Sequence, residues 1–193
     1  MRKYKCISQS VFSIENFHIE PIRDSDKYEI MTIRNEQLYH LRQEKLLTVE
    51  DQDTYFNTVV NNLFEVDFPS QILFSFFKDN SFIGYGGLVH INWKDKNAEI
   101  SFVMKTELEK NFLKENWSSF LKLIENVAFQ ELHLHKIATY AFDVRPHLYE
   151  IFEHNGYKKE AVLKEHILIE NQYIDVVIHA KLNVKKNNHE KSI

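Results

Sequence analysis

From Asn97 to Lys181 the chain lays out a strand, a long amphipathic helix, a second strand, a short helix and a hairpin, and this order constrains the fold more than any single motif. "NAEISFVM" is β-rich and carries one carboxylate, Glu99. Leu113, Trp117, Phe120, Leu121, Ile124, Val127 and Ala128 then recur at helical spacing, so that segment buries one face. Lys136 to Phe142 reads as the next strand. A right-handed crossover through the helix makes it a parallel neighbour of Ala98 to Met104. Pro146 stands where a first helical turn tolerates a missing N–H, and Gly156 where a left-handed C-terminal residue is wanted. Tyr157 to Glu170 and Tyr173 to Leu182 close as a hairpin over Asn171-Gln172.

Upstream, Phe17 to Ile22 alternates as a strand does, and Arg23-Asp24-Ser25 supplies turn and N-cap chemistry for a helix carrying Ile30, Ile33, Leu38 and Leu41. Thr48 and Asp51 announce a second helix with a stripe of Tyr55, Phe56, Val59, Val60 and Leu63. Ile72 to Phe77, Phe82 to Ile91 and Ala98 to Met104, separated by polar turns, form an antiparallel meander. The chain divides into an N-terminal extension over 1–16, one α/β (α+β) domain over 17–184, and a polar tail over 185–193 expected to be disordered.

With 193 residues, 44% hydrophobic and 27% charged, one ordinary globular domain suffices. A formal charge of −4 argues against a partner such as nucleic acid, which is bound by neutralising phosphates. One cysteine, Cys6, cannot form an internal disulfide, and His133 and His135 lack a third ligand, so no metal is expected. Neither a signal peptide nor a bilayer-spanning stretch is legible, which makes a cytoplasmic location and no membrane partner the expectation.

The stretches "NAEISFVM", "IENVAFQELHLHKIATYAF", "LYEIFEHNGYKKEAVLKEHI" and "NQYIDVVIHAKL", with "IEPIRDSDKYEIMTIRNEQLYHLRQ" and "TVEDQDTYFNTVV" upstream, resemble the GNAT superfamily of acyl-CoA-dependent N-acetyltransferases over residues 17 to 182. Within it they are most similar to the branch that acetylates amino groups of nucleotide-linked sugars. The resemblance implies a mixed, mostly antiparallel twisted sheet with helices on both faces and a splayed central strand pair. It further implies an enzyme with acetyl-CoA as co-substrate and a primary amine on a sugar nucleotide as acceptor. Acetylation of a protein N-terminus or small amine is the alternative, as is a degenerate fold that binds without catalysis; a homodimer stays open.

The resemblance implies roles for particular residues. The acetyl-CoA arm lies between the splayed strands, held by Phe102, Val103 and Met104 on one side and by Phe142 on the other. Glu99, on that strand beside the acyl site, is the candidate base for deprotonating the amine. The family's glycine-rich diphosphate loop is replaced by "TELEKNFLKENWS", which leaves Lys110, Lys114, Asn116, Trp117 and Arg145 as the candidates around the cofactor. Phe152 stands where the family often has a tyrosine acid, and Tyr149, one turn back, is the candidate substitute. Arg34, Tyr39, His40 and Arg42 would wall the acceptor pocket and suit an anionic group, with His166 on the final hairpin beside them. The "GYGG" at Gly84 to Gly87 lies on a strand and reads as a close backbone approach or a bulge.

Overall fold

The apolar alternation builds one eight-stranded sheet in the order β1-β2-β3-β4-β5-β6-β8-β7, seen in a computed structural model that describes residues 2–184. The strands are β1 (Phe12–Ile14), β2 (Phe17–Pro21), β3 (Ile72–Lys78), β4 (Ser81–Asn92), β5 (Asn97–Met104), β6 (Lys136–Phe142), β7 (Lys158–Ile169) and β8 (Gln172–Leu182). Every neighbouring pair is antiparallel except β5 and β6, which the long helix α4 (Thr106–Glu125) joins as a parallel crossover. α4 and α5 (His147–His154) cover one face, where Phe120 of α4 stacks on Phe102 of β5. α1 (Lys27–Glu36) and α2 (Val49–Tyr55) serve the other. α2 continues through a π-helical turn over Phe56–Val60 into α3 (Asn61–Leu63). This is the mixed single-domain fold that the sequence implied.

Local chemistry explains several details. Thr48 caps α2 as its sequence suggests: Asp51 N–H donates to Thr48 Oγ1 at 3.1 Å and Thr48 N–H donates to Asp51 at 2.9 Å. Gly84 and Gly86 lie where β4 presses on β5. A Cβ on Gly86 would sit 2.2 Å from the Ser101 carbonyl oxygen, so "GYGG" is a close backbone approach.

Four expectations change. The first helix stops at Glu36, with Leu38 in a separate 3-10 turn and Leu41 beyond it, because the Gln37 amide turns inward and donates to the Met104 carbonyl at 2.7 Å. Asp24 and Ser25 do not cap that helix through their side chains; Asp26 instead binds Arg23. The hairpin turns at Glu170 and Asn171, both at positive φ, one residue earlier than expected. Residues 2–16, expected as part of an extension, join the same body: β1 pairs with β2, and the buried Tyr4 hydroxyl bridges the Leu73 carbonyl and N–H. The polar tail expected over 185–193 lies outside the described residues.

Candidate active site

The parallel β5–β6 ladder runs from Asn97↔Lys136 to Ile100↔Thr139 and then stops, while both strands continue to Met104 and Phe142. Lys105 N–H bonds the Ile83 carbonyl of β4, so strand alternation directs the main-chain groups of Val103 toward β4 and those of Phe102 toward β6. No strand partner meets Phe102 there, and its N–H faces the gap as an open donor. Of the three expected main-chain sites, Val103 is turned to β4, and the Met104 carbonyl is taken by Gln37.

A cavity of about 280 Å³ fills this splay and passes through the sheet. On the α4/α5 side its wall is apolar: Trp117, Leu148 and Phe152, with Trp117 edge-on to Phe102 at 4.8 Å and to Phe152 at 5.3 Å. On the α1/α2 side it is polar, with Arg34, Arg42, Tyr55, Tyr85, His90 and Glu99.

Glu99 reaches this polar half. Its Oε1 accepts from Arg42 at 2.6 Å, and its Oε2 lies 3.4 Å from His90 Nδ1. Arg42 in turn lies over the Tyr140 ring at 3.8 Å, so the loop after α1 is fastened across the cavity mouth. His90 escaped the sequence reading. It sits at positive φ in the β-bulge between Val89 and Asn92, and that kink aims it at Glu99.

Arg34 is held by neutral groups: Nε donates to Gln43 at 2.8 Å and NH1 to the Tyr85 hydroxyl at 2.7 Å. His40 and Arg145 meet at the cavity wall, where Arg145 NH1 donates to His40 Nε2 at 2.9 Å. Burial, reinforced by the Arg145 charge, pushes the His40 imidazole down to about 3, so it accepts as a neutral ring. The other Arg145 nitrogen, NH2, donates to Glu109 at 2.7 Å, while its buried Nε has no partner.

Other expected site residues lie apart. Tyr149 is not in the cavity wall: its hydroxyl donates to Asp143 at 2.8 Å, and burial followed by that carboxylate raises it well above the ordinary phenol range. Asn116 is buried behind the strand, its amide on the Met104 sulfur at 3.6 Å. Phe142 lines the cavity and a second, outer one that also holds Tyr39. His166 is exposed, 6.1 Å from the Tyr140 ring and outside both cavities. Lys110 and Lys114 are exposed on α4, away from the cavity. Among the described residues no cluster of His, Cys, Asp and Glu could hold a metal ion, and no helix is long and apolar enough to cross a membrane.

The reacting end of acetyl-CoA fits this site. An open main-chain donor, an apolar slot and a passage to a carboxylate are together. The diphosphate end finds less. α4 starts at Thr106, directly after Lys105, so no glycine-rich loop precedes it, and Glu107 and Glu109 in its first turn set negative charge against a phosphate there.

Comparisons agree with this geometry. A family model described as an acetyltransferase (GNAT) domain matches residues 19–178. Among solved structures, spermidine N-acetyltransferase from Vibrio cholerae in complex with CoA and spermine superposes with a TM-score of 0.74 at 20% identity, covering 87% of this chain and 96% of that one. A dodecameric structure of spermidine N-acetyltransferase from Vibrio cholerae, in an intermediate state, gives 0.71 at 20% identity over 91% and 99%.

Proposed function

We propose that this chain, which belongs to the GNAT acetyltransferase family and so carries an acetyl group from acetyl-CoA to an amine, acts on a small primary amine that enters from the α1/α2 face. The observation that carries this reading is the cavity that crosses the sheet where the β5–β6 ladder ends: it joins an apolar acyl slot to a polar pocket containing Glu99. Acetyl-CoA supplies the activated acyl group. The Phe102 N–H, facing the gap, donates to the carbonyl oxygen as negative charge grows on it. Glu99 takes the proton of the ammonium, directly or through one water, once Arg42 swings from Oε1. A thiol with a pKa of about 8.5 leaves without a strong acid, which suits a site where Phe152 faces the slot and Tyr149 is engaged by Asp143.

A sugar nucleotide, the acceptor first expected, draws no support from the comparisons. The small-amine alternative fits better, since a structural neighbour binds spermine. Incubation with acetyl-CoA and a panel of small amines, read by thiol release and product mass, tests the reading. A product of one added acetyl group is expected; absence of any product, together with no thermal shift by acetyl-CoA at millimolar concentration, removes it.

A further inference from the structure

Three arginines line the cavity, and their partners differ in kind. Arg42 is paired with Glu99 at 2.6 Å and Arg145 with Glu109 at 2.7 Å. Arg34 has no carboxylate among its hydrogen-bond partners, only the Gln43 amide oxygen and the Tyr85 hydroxyl. A largely buried guanidinium without a counter-charge is costly, and an arriving anion relieves that cost.

The groups beside Arg34 match it. Tyr85 accepts from Arg34, so its own O–H is left to donate. Tyr55 accepts from Gln71 at 3.1 Å, and its O–H is likewise left over. Burial, and then the nearness of Tyr85, raise the Tyr55 phenol above its ordinary range, and Arg34 bonds the Tyr85 hydroxyl directly. The three groups are therefore neighbours, and each meets a ligand as a donor. All three line the cavity on its polar side, as does Glu99. Along β4, Tyr85 is four residues from Val89, which pairs with Glu99, so corner and carboxylate stand roughly 13 Å apart along the strand.

We propose that Arg34, Tyr55 and Tyr85 form a binding corner for an oxyanion carried by the acceptor, so that the amine acetylated here belongs to a molecule that also bears a carboxylate or a phosphate. The proposal rests on the acetyltransferase reading for the amine and on the donor corner for the anion. It separates this pocket from one built for a polyamine, which would present acceptors and carboxylates in that corner.

Two measurements on the full chain test it. In the first, thermal unfolding is followed with inorganic phosphate and with acetate against potassium chloride at equal ionic strength. A saturable rise is expected with at least one oxyanion, lost in Arg34→Gln and reduced in Tyr85→Phe, which keeps the packing if the arginine variant does not fold. A rise that both variants retain, or none in the wild type, overturns the corner. In the second, kcat/KM is compared within matched pairs: 4-aminobutyrate against butylamine, and glucosamine 6-phosphate against glucosamine, with spermidine beside them. The anionic member should be preferred by at least ~10-fold in one pair, the scale of a charge-assisted hydrogen bond, and the pair showing it identifies carboxylate or phosphate. Tyr85→Phe should shrink that preference through KM. Preference for spermidine over every anionic amine overturns the proposal while leaving acetyl transfer intact. Arg34-dependent stabilisation by an oxyanion without acetylation of any amine supports the corner and removes the acetyltransferase reading.

Discussion

The two halves of the passage through the sheet are built from opposite materials. On the α1/α2 face the wall is guanidinium, phenol, imidazole and carboxylate, nearly all tied to one another; on the α4/α5 face it is Trp117, Leu148 and Phe152. Beyond the apolar half, at the start of α4, charge returns as Glu107, Glu109 and the buried Arg145. The division separates tasks. Where bonds would change, a main-chain donor faces the gap between the strands; where the far end of the cofactor would rest, the charge of Arg145 is partly cancelled by Glu109.

The polar half carries the largest expected effect. Glu99→Gln keeps the shape and an acceptor oxygen while removing the base, so turnover should fall by about 10²-fold with acetyl-CoA affinity nearly unchanged. Single-turnover rates and calorimetric titration with acetyl-CoA separate the two quantities. Turnover within a factor of two of the wild type would erase the chemical distinction between the halves and make Glu99 an anchor for Arg42 alone.

The next test is at the start of α4. Glu109→Gln frees Arg145 NH2 and removes a negative charge from the first helical turn, so CoA should bind about 3- to 10-fold more tightly at low salt. At about 1 M salt, where the Debye length is roughly 3 Å, most of the gain should vanish. Titration of wild type and variant at both salt concentrations measures it. Weaker binding by the variant would mean that Glu109 positions Arg145 for phosphate and does not compete for it.

These tests also mark what the sequence could reveal. The antiparallel meander, the α4 crossover, the Thr48 cap and the approach permitted by Gly84 and Gly86 depend on spacing over a few residues, and all were legible. So was the carboxylate on β5. Arg42 and Glu99 are 57 positions apart, and the sequence separately nominated both; that they pair depends on how the loop after α1 folds back. Tyr55 and Tyr85 read as core stripe and core strand because aromatic residues at such positions usually are core; that both line the cavity appears only once Arg34 is placed between helix and sheet. His90 depends on a bulge that no turn residue announces. Tyr149 was a fair reading of helical spacing, but the start of the helix rotates its hydroxyl to Asp143.

The smallest effect probes how apolar the acyl half is beneath its lining. His179 of β8 is fully buried behind Phe152, stacked on Tyr149 at 5.1 Å, and neither ring nitrogen has a hydrogen-bond partner. Burial lowers its pKa from the ordinary 6.5, opposed by Glu153 at 3.9 Å and assisted by Lys159. The sign follows from linkage. The unfolded chain takes the proton first, so the stability associated with a neutral His179 is complete above about pH 6.5 and is lost as the pH falls below it. His40, pushed down to about 3, acts in the same direction and will leave a residual acid dependence. His179→Phe should therefore hold or raise Tm at pH 7.5 and reduce the loss between pH 7.5 and 5 by about 3 °C, measured by thermal unfolding at each pH. A variant whose acid loss equals that of the wild type would mean that Glu153 closes on His179 in solution, and that the acyl half has a polar backing after all.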